Sequence, residues 1–269
     1  MTGSMWKLLL VPVLLYLGVC AVAFFAQTGL LFPARLALPA GPPPPSAEPL
    51  ELATSHGHRL HGLHIPPSAA ADGRLLILGF GGNAWNAAAA AEYLHELYPQ
   101  ADVVAFHYRG YAPSGGSPSA GALQRDALLV HDFVRERLRP ERVVAVGFSI
   151  GSGVAAFLAA RRPLDGAILV TPFDSLTELA AGHYSWLPVR LLLRHRMEPA
   201  ADLRGTNVPV ALIAAGDDRL VPAARTEALA RAVPNLAFRH VVPGAGHSDV
   251  YERDDFREAM RAAAVATAG

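Results

Sequence analysis

Val143-Val144-Ala145-Val146-Gly147-Phe148-Ser149-Ile150-Gly151-Ser152-Gly153 carries the decision about the fold. Four consecutive apolar residues suit a strand buried on both faces, and the stretch from Gly153 to Ala160 has helical composition. Between them, Gly147, Gly151 and Gly153 permit a sharp strand-to-helix turn that lifts Ser149 above the sheet edge, the setting in which G-x-S-x-G presents a nucleophile. Working outward, similar apolar runs recur at Leu75 to Leu78, Val103 to Phe106, Ala167 to Val170 and Val210 to Ile213, each followed by a longer segment of helical composition or spacing. Short runs apolar on both faces and alternating with helices predict an α/β architecture, with a mostly parallel sheet and helices on both faces. Upstream, the segments flanking Ser55-His56-Gly57-His58, between Glu51 and Ile65, read as a two-stranded hairpin. The Ala87 to Ala91 tract is a good helix former.

A serine hydroxyl is a poor nucleophile near neutral pH, so chemistry at Ser149 needs a base to accept its proton and an acid to orient that base. His247, within Gly244-Ala245-Gly246-His247-Ser248-Asp249 after a strand at Phe238 to Val242, is the expected base. Gly216-Asp217-Asp218, after the Val210 strand, supplies the acid. Side chains of neighbouring residues generally point in different directions, so only one of Asp217 and Asp218 orients His247, and the pattern alone leaves both open. Acyl transfer also needs donors aimed at the developing oxyanion. The N–H of Ile150, the residue after the nucleophile, is one; the loop Gly79-Phe80-Gly81-Gly82-Asn83-Ala84 supplies the other, assigned to Asn83.

The bulk composition narrows the function classes. Lys plus Arg and Asp plus Glu both number 23 in the 269 residues, so no extended basic surface for nucleic acid is expected. Apolar residues make up 52% of the chain, and much of the excess lies at the N-terminus. From Leu8 to Ala26 nearly every residue is apolar, long enough for most of a hydrocarbon core of about 30 Å. Residues 1–27 are therefore expected to be a single-pass membrane anchor. Ala21-Val22-Ala23 has the form of a signal-peptidase site, so cleavage and secretion or periplasmic release is the competing reading. Apolar residues continue past that site, which favours retention, and Lys7 ahead of the span favours export of the domain behind it. Residues 28–47, with Pro39-Ala40-Gly41-Pro42-Pro43-Pro44-Pro45, are expected to form a Pro-rich linker, and residues 48–269 a catalytic domain. Cys20 is the one cysteine, so no intrachain disulfide forms. His56, His58, His61 and His64 are not expected to bind a metal, because residues three apart in a hairpin face opposite ways and no cysteine or carboxylate cluster completes a site.

With these motifs in place the chain resembles the α/β-hydrolase superfamily, and more narrowly its small membrane-anchored serine hydrolases, from about Glu51 to the C-terminus. Tyr108-Arg109-Gly110-Tyr111 with Ser114 to Ser119 is similar to the family's Y-R-G-Y-G-x-S-x-G-x-P-S segment, as is Thr171-Pro172-Phe173-Asp174-Ser175. The resemblance implies an α/β-hydrolase fold and a triad of Ser149, Asp218 and His247, since family members carry the acid four residues before the proline that here is Pro222. Two departures stand out. Gly81-Gly82 replaces the family's His-Gly, which bears on the oxyanion geometry, and His107 replaces an Asp, which bears on an ion pair near Arg109. A short lid is expected at about 174–204, with Tyr184, Trp186 and Leu187 as candidate substrate contacts. The implied activity is hydrolysis of carboxylic esters or thioesters of hydrophobic, lipid-like acyl groups without a cofactor. A peptidase or amide hydrolase on the same triad, or a catalytically silent membrane-tethered binder, are the alternatives. Oligomeric state does not follow from the sequence.

Overall fold

The computed structural model describes residues 3–37, 41–54, 57–69 and 73–268, with side chains from residue 10 onward. Eight strands form one sheet: β1 (Glu48–Ala53), β2 (Arg59–Ile65), β3 (Leu75–Phe80), β4 (Asp102–Phe106), β5 (Arg142–Phe148), β6 (Gly166–Val170), β7 (Val210–Ala215) and β8 (Leu236–Val242). Their order is β1-β2-β4-β3-β5-β6-β7-β8. The β1–β2 hairpin pairs antiparallel and joins antiparallel to β4, while β3 to β8 run parallel. The hairpin turn at Ser55 and His56 lies outside the described residues, so the tight histidine group is described only at His58, His61 and His64. The apolar runs quoted above are the centres of β3 to β7, and every residue from Val143 to Phe148 is buried.

Helices cover both faces, as strands apolar on both sides require. On one face, α2 (Ala87–Leu97) and the C-terminal α9 (Asp254–Ala268) bury Leu94, Leu97, Phe256 and Met260 against Ile77, Val144 and Ile213. On the other, α3 (Ala120–Leu138), α4 (Ile150–Ala159) and α8 (Ala223–Ala232) pack Leu123, Val154 and Leu229 over Leu76, Ala145 and Leu212. Asn86 and Ser119 cap α2 and α3 through their side-chain oxygens, which sets where each crossover helix begins. The chain leaves β3 towards β4 on one side and reaches β5 on the other. A crevice therefore opens at the carboxyl ends of the central strands, where ligands enter open α/β sheets.

Arg109 belongs to this framework. Its Nε donates to Asp126 Oδ2 at 2.9 Å and its Nη2 to Oδ1 at 2.5 Å, a bidentate pair whose side chains are 10% and 7% exposed. The counter-charge comes from α3, which explains how His107 can replace the acidic residue expected beside Arg109. His107 is partly buried next to His61, and both effects hold its pKa below the ordinary value, favouring the neutral form.

The cap between β6 and β7 contains α5 (Leu176–His183), α6 (Val189–Leu192) and α7 (Pro199–Leu203). The N-terminal helix α1 (Gly3–Leu31) runs past it. This differs from the linker expected to start at residue 28: the helix continues to Leu31, a short turn follows at Ala34–Leu36, and Phe32 is buried in the core. The reason is satisfaction of polar groups. Gln27 Nε2 donates to the Leu192 carbonyl, Gln27 Oε1 accepts from Arg194 N at 2.7 Å, and Thr28 Oγ1 meets His195 Nε2 at 2.8 Å. Pro39 and Ala40 of the proline-rich stretch lie outside the described residues.

Two outcomes are expected. Asp126→Ala strands a buried guanidinium and lowers unfolding free energy by about 3–5 kcal/mol in guanidinium titrations followed by circular dichroism. His195 is buried beside Arg194 and its pKa lies below the ordinary 6.5. Its neutral form stabilises the folded chain fully above about pH 6.5, and that contribution is lost as pH falls towards the lowered folded value. The melting temperature of the wild type therefore drops more between pH 7.5 and 5.5 than that of His195→Gln.

Candidate active site

Four loops meet at the carboxyl ends of β3, β5, β7 and β8, and each brings one part of the site. The tightest is the β5–α4 turn. Ser149 sits there at φ 51° and ψ −116°, a conformation costly for any residue with a Cβ and held only because its surroundings over-determine it. Val170 at the end of β6 accepts the Ser149 N–H at 2.9 Å, and Ser152 donates both its N–H and its hydroxyl to the Ser149 carbonyl. The flanking glycines are required by close approach: a Cβ on Gly147 would run into the Gly151 carbonyl, and one on Gly151 into the carbonyls of Phe80 and Gly81. The turn is thus wedged directly against the end of β3.

Strand β7 ends in the loop carrying Asp217 and Asp218, which the structure places differently. Asp217 is exposed, and its backbone N–H goes to the Ala245 carbonyl at 2.8 Å. The Asp218 side chain is 3% exposed; Oδ1 accepts from the N–H groups of Leu220 and Val221 at 2.8 and 2.7 Å. Those bonds fix the carboxylate and leave Oδ2 for His247 Nδ1, at 2.7 Å. His247 Nε2 in turn lies 2.9 Å from Ser149 Oγ. Asp249 accepts the Gly246 N–H and steadies the loop that presents the imidazole. A carboxylate on Nδ1 favours the tautomer with its proton there, leaving Nε2 free to accept the serine proton.

The loop after β3 lies beside the serine: a Cβ on Gly82 would stand 3.8 Å from that of Ser149, so this backbone can reach an oxygen bound above the hydroxyl. Two tyrosines set its orientation. Tyr108 donates to the Gly81 carbonyl at 2.9 Å and Tyr111 to the Asn83 carbonyl at 2.7 Å. Burial raises both phenols above the ordinary value of 10, so both remain donors. Ile150, at the first position of α4, is buried behind the turn. Sequence reasoning had singled out the Tyr108 to Tyr111 segment only as a likeness. Its local signal, two tyrosines flanking Arg-Gly, does not say which carbonyls they meet.

A second group missed in the sequence is the aromatic wall behind Ser149. Phe148 packs on Trp85, Tyr251 and Tyr93 with ring centroids 4.9, 5.8 and 6.3 Å apart. Tyr93 donates to the Tyr251 carbonyl, and burial pushes both phenols up to about 12. The candidate lid contacts divide. Leu187 is half-buried and packs on the core, whereas Tyr184 and Trp186 are 52% and 58% exposed on the outer side of the cap. A cleft of about 460 Å³ in the cap is lined by Leu179, Leu187, Val189, Arg190 and Arg225; none of Ser149, Asp218 or His247 lines it. It reaches the acid loop at Pro222, and His183 of α5 bonds the Leu220 carbonyl there at 2.7 Å.

Comparison with known proteins agrees with this architecture. The family model described as the alpha/beta hydrolase fold matches residues 75–194. A protein of uncharacterised function from Mycobacterium tuberculosis strain H37Rv is 34% identical over 229 residues, covering 84% of this chain and 79% of that protein. The lysophosphatidylserine lipase ABHD12 of Danio rerio is 31% identical over 138 residues, covering 45% of this chain and 36% of that protein. Among solved structures, the esterase Pf2001 of Pyrococcus furiosus has a TM-score of 0.66 at 17% identity, covering 88% of this chain and 96% of that one. A membrane phospholipase A described as a bacterial virulence factor has a TM-score of 0.61 at 16% identity, covering 95% of this chain and 97% of that one. With its sheet order, the loops that converge on Ser149 and these likenesses, the chain belongs to the α/β-hydrolase superfamily.

Proposed function

We propose that this hydrolase-fold protein is a membrane-anchored serine hydrolase that cleaves carboxylic ester or thioester bonds of lipid-like acyl substrates through an acyl-serine intermediate. The observation that carries the reading is the continuous relay from Ser149 Oγ through His247 to Asp218, with the serine held in a strained turn. In the first half-reaction Ser149 Oγ attacks the acyl carbon while His247 Nε2 takes its proton. The negative charge that develops on the carbonyl oxygen is met by the N–H groups of Ile150 and Asn83. The C–O or C–S bond then breaks, and the leaving group takes the proton from Nε2. In the second half-reaction His247 deprotonates a water that attacks the acyl-serine, and returns the proton to Ser149. Asp218 holds the imidazole and stabilises its cationic form. No step calls for a cofactor.

Lipid-like substrates are favoured by the likeness to a protein named as a lysophosphatidylserine lipase. Retention of α1 as an anchor is supported by Tyr16, which lies before the Ala21 to Ala23 site and bonds the cap at the Trp186 carbonyl. The positive charge at Lys7 supports export of the catalytic domain.

Turnover of p-nitrophenyl acyl esters by the detergent-solubilised chain tests the reading. Ser149→Ala and His247→Ala are each expected to lower kcat by about 10³-fold or more, and Asp218→Asn by about 10³- to 10⁴-fold. A Ser149→Ala variant that keeps its rate and resists fluorophosphonate labelling no better than the wild type sinks the proposal. Tyr111 positions the loop behind the oxyanion donors, so Tyr111→Phe should lower kcat about 10-fold with KM nearly unchanged. An equal loss in KM alone would assign Tyr111 to substrate binding.

A further inference from the structure

We infer that His183, the last residue of α5, is a positioning residue for Asp218: its ring N–H holds a peptide group whose own N–H fixes the carboxylate, so that cap and acid loop are joined through one hydrogen-bonded chain. The inference rests on the serine-hydrolase reading and adds a residue that acts on its proposed acid from the cap.

His183 Nε2 lies 2.7 Å from the Leu220 carbonyl oxygen. A carbonyl only accepts, so Nε2 carries the proton and donates it. The peptide unit that ends in this oxygen carries the Val221 N–H at its other edge, and that N–H donates to Asp218 Oδ1 at 2.7 Å. A trans peptide such as this one is planar, with its oxygen and hydrogen pointing in opposite directions. The Leu220–Val221 plane is therefore pinned at both edges, and it cannot rotate away from one partner without losing the other. From Asp218 the chain continues through Oδ2 to His247 Nδ1 at 2.7 Å, and from His247 Nε2 to Ser149 Oγ at 2.9 Å. Hydrogen bonds in series polarise one another, so donation into the Leu220 oxygen also strengthens the Val221 N–H as a donor.

This peptide needs an outside hold. Arg219, Leu220 and Pro222 are exposed, and among the described residues the His183 ring is the only hydrogen-bond partner of the Leu220 carbonyl. Val221 is buried, which fixes where the loop rejoins the core ahead of α8 but not how the peptide before it is turned. His183, by contrast, sits at the end of a stiff arm. Ser175 caps α5 by accepting the Glu178 N–H at 3.1 Å, Leu176 and Thr177 are buried, and the Leu176 N–H goes to the Met197 carbonyl. Arg190 of α6 holds Glu178 bidentately at 2.8 and 2.7 Å. The eight residues of α5, about 12 Å of helix, then carry the ring along the cap cleft, whose lining includes both His183 and Pro222. The bond to Leu220 is exposed, so water can replace it energetically. What the ring supplies is direction: water would satisfy the oxygen without fixing the plane.

Turnover of p-nitrophenyl acyl esters by the detergent-solubilised full chain tests the inference, with two substitutions that separate the ring from the donor. His183→Phe keeps the ring and loses the N–H; His183→Gln keeps an N–H at similar reach and loses the ring. His183→Phe is expected to lower kcat about 10-fold with KM within about 2-fold of the wild type, and His183→Gln to restore most of that rate. The melting temperature of both variants is expected to stay within about 2 °C of the wild type, since the bond lies in water. Because the effect runs through Asp218, adding His183→Phe to Asp218→Ala is expected to change kcat by less than about 2-fold. An active wild type matched by His183→Phe, a loss confined to KM, or a loss of the same size on the Asp218→Ala background would overturn the inference and leave the serine-hydrolase reading standing. A wild type that turns over no acyl ester fails that reading itself, and the inference falls with it.

Discussion

The interaction on which the site depends is the steric wedge between the β5–α4 turn and the end of β3. Gly151 sits so close to the carbonyls of Phe80 and Gly81 that no side chain fits, and Gly147 is closed off in the same way by Gly151. This contact brings the loop of Gly82 and Asn83 alongside Ser149, and it confines Ser149 to a backbone conformation it would not adopt alone. The buried sheet supports that arrangement. Phe148, immediately before the serine, is clamped by Trp85, Tyr93 and Tyr251, so a shift of the turn would have to displace an aromatic cluster as well.

Much of this was legible in the sequence because it is local. A doubly buried strand, a glycine-bounded serine and a helical stretch lie within about twenty consecutive residues, and each has its own short-range signature. The positions of Asp218 and His247 were legible as loops following strands. The choice between Asp217 and Asp218 needed a likeness to other proteins, because two adjacent carboxylates look equivalent in a string of letters. The structure gives the physical reason for the difference. The loop turns back so that Leu220 and Val221 donate to one oxygen of Asp218, while Asp217 is left exposed and contributes a backbone donor to the histidine loop.

What was not legible depends on partners distant in the chain. Tyr108 and Tyr111 reach carbonyls 27 and 28 residues earlier. The guanidinium of Arg109, expected to involve the residue at 107, finds its carboxylate on Asp126. Tyr251 comes from a segment more than one hundred residues after Phe148 and still closes the aromatic wall. None of these pairings leaves a periodic trace, since each is a single contact between residues far apart in the chain. Burial explains why such residues occur here: the phenols donate to loop carbonyls and the guanidinium to a buried carboxylate, so that polar groups shielded from water are paired.

The N-terminal segment is the place where composition misled by omission. Read for hydropathy it is an apolar helix followed by a spacer, and Gln27 and Thr28 look like the polar residues that end it. In the folded chain these two residues are the ones that bind the cap, because a polar side chain on an otherwise apolar helix has few partners there except in the protein itself. The helix continues to Leu31 and delivers Phe32 into the core before the proline-rich stretch begins. The N-terminal helix and the cap are therefore packed together in this structure, and the geometry of the cap cannot be separated from the position of α1. A change that detached the helix would expose Gln27 and His195 together.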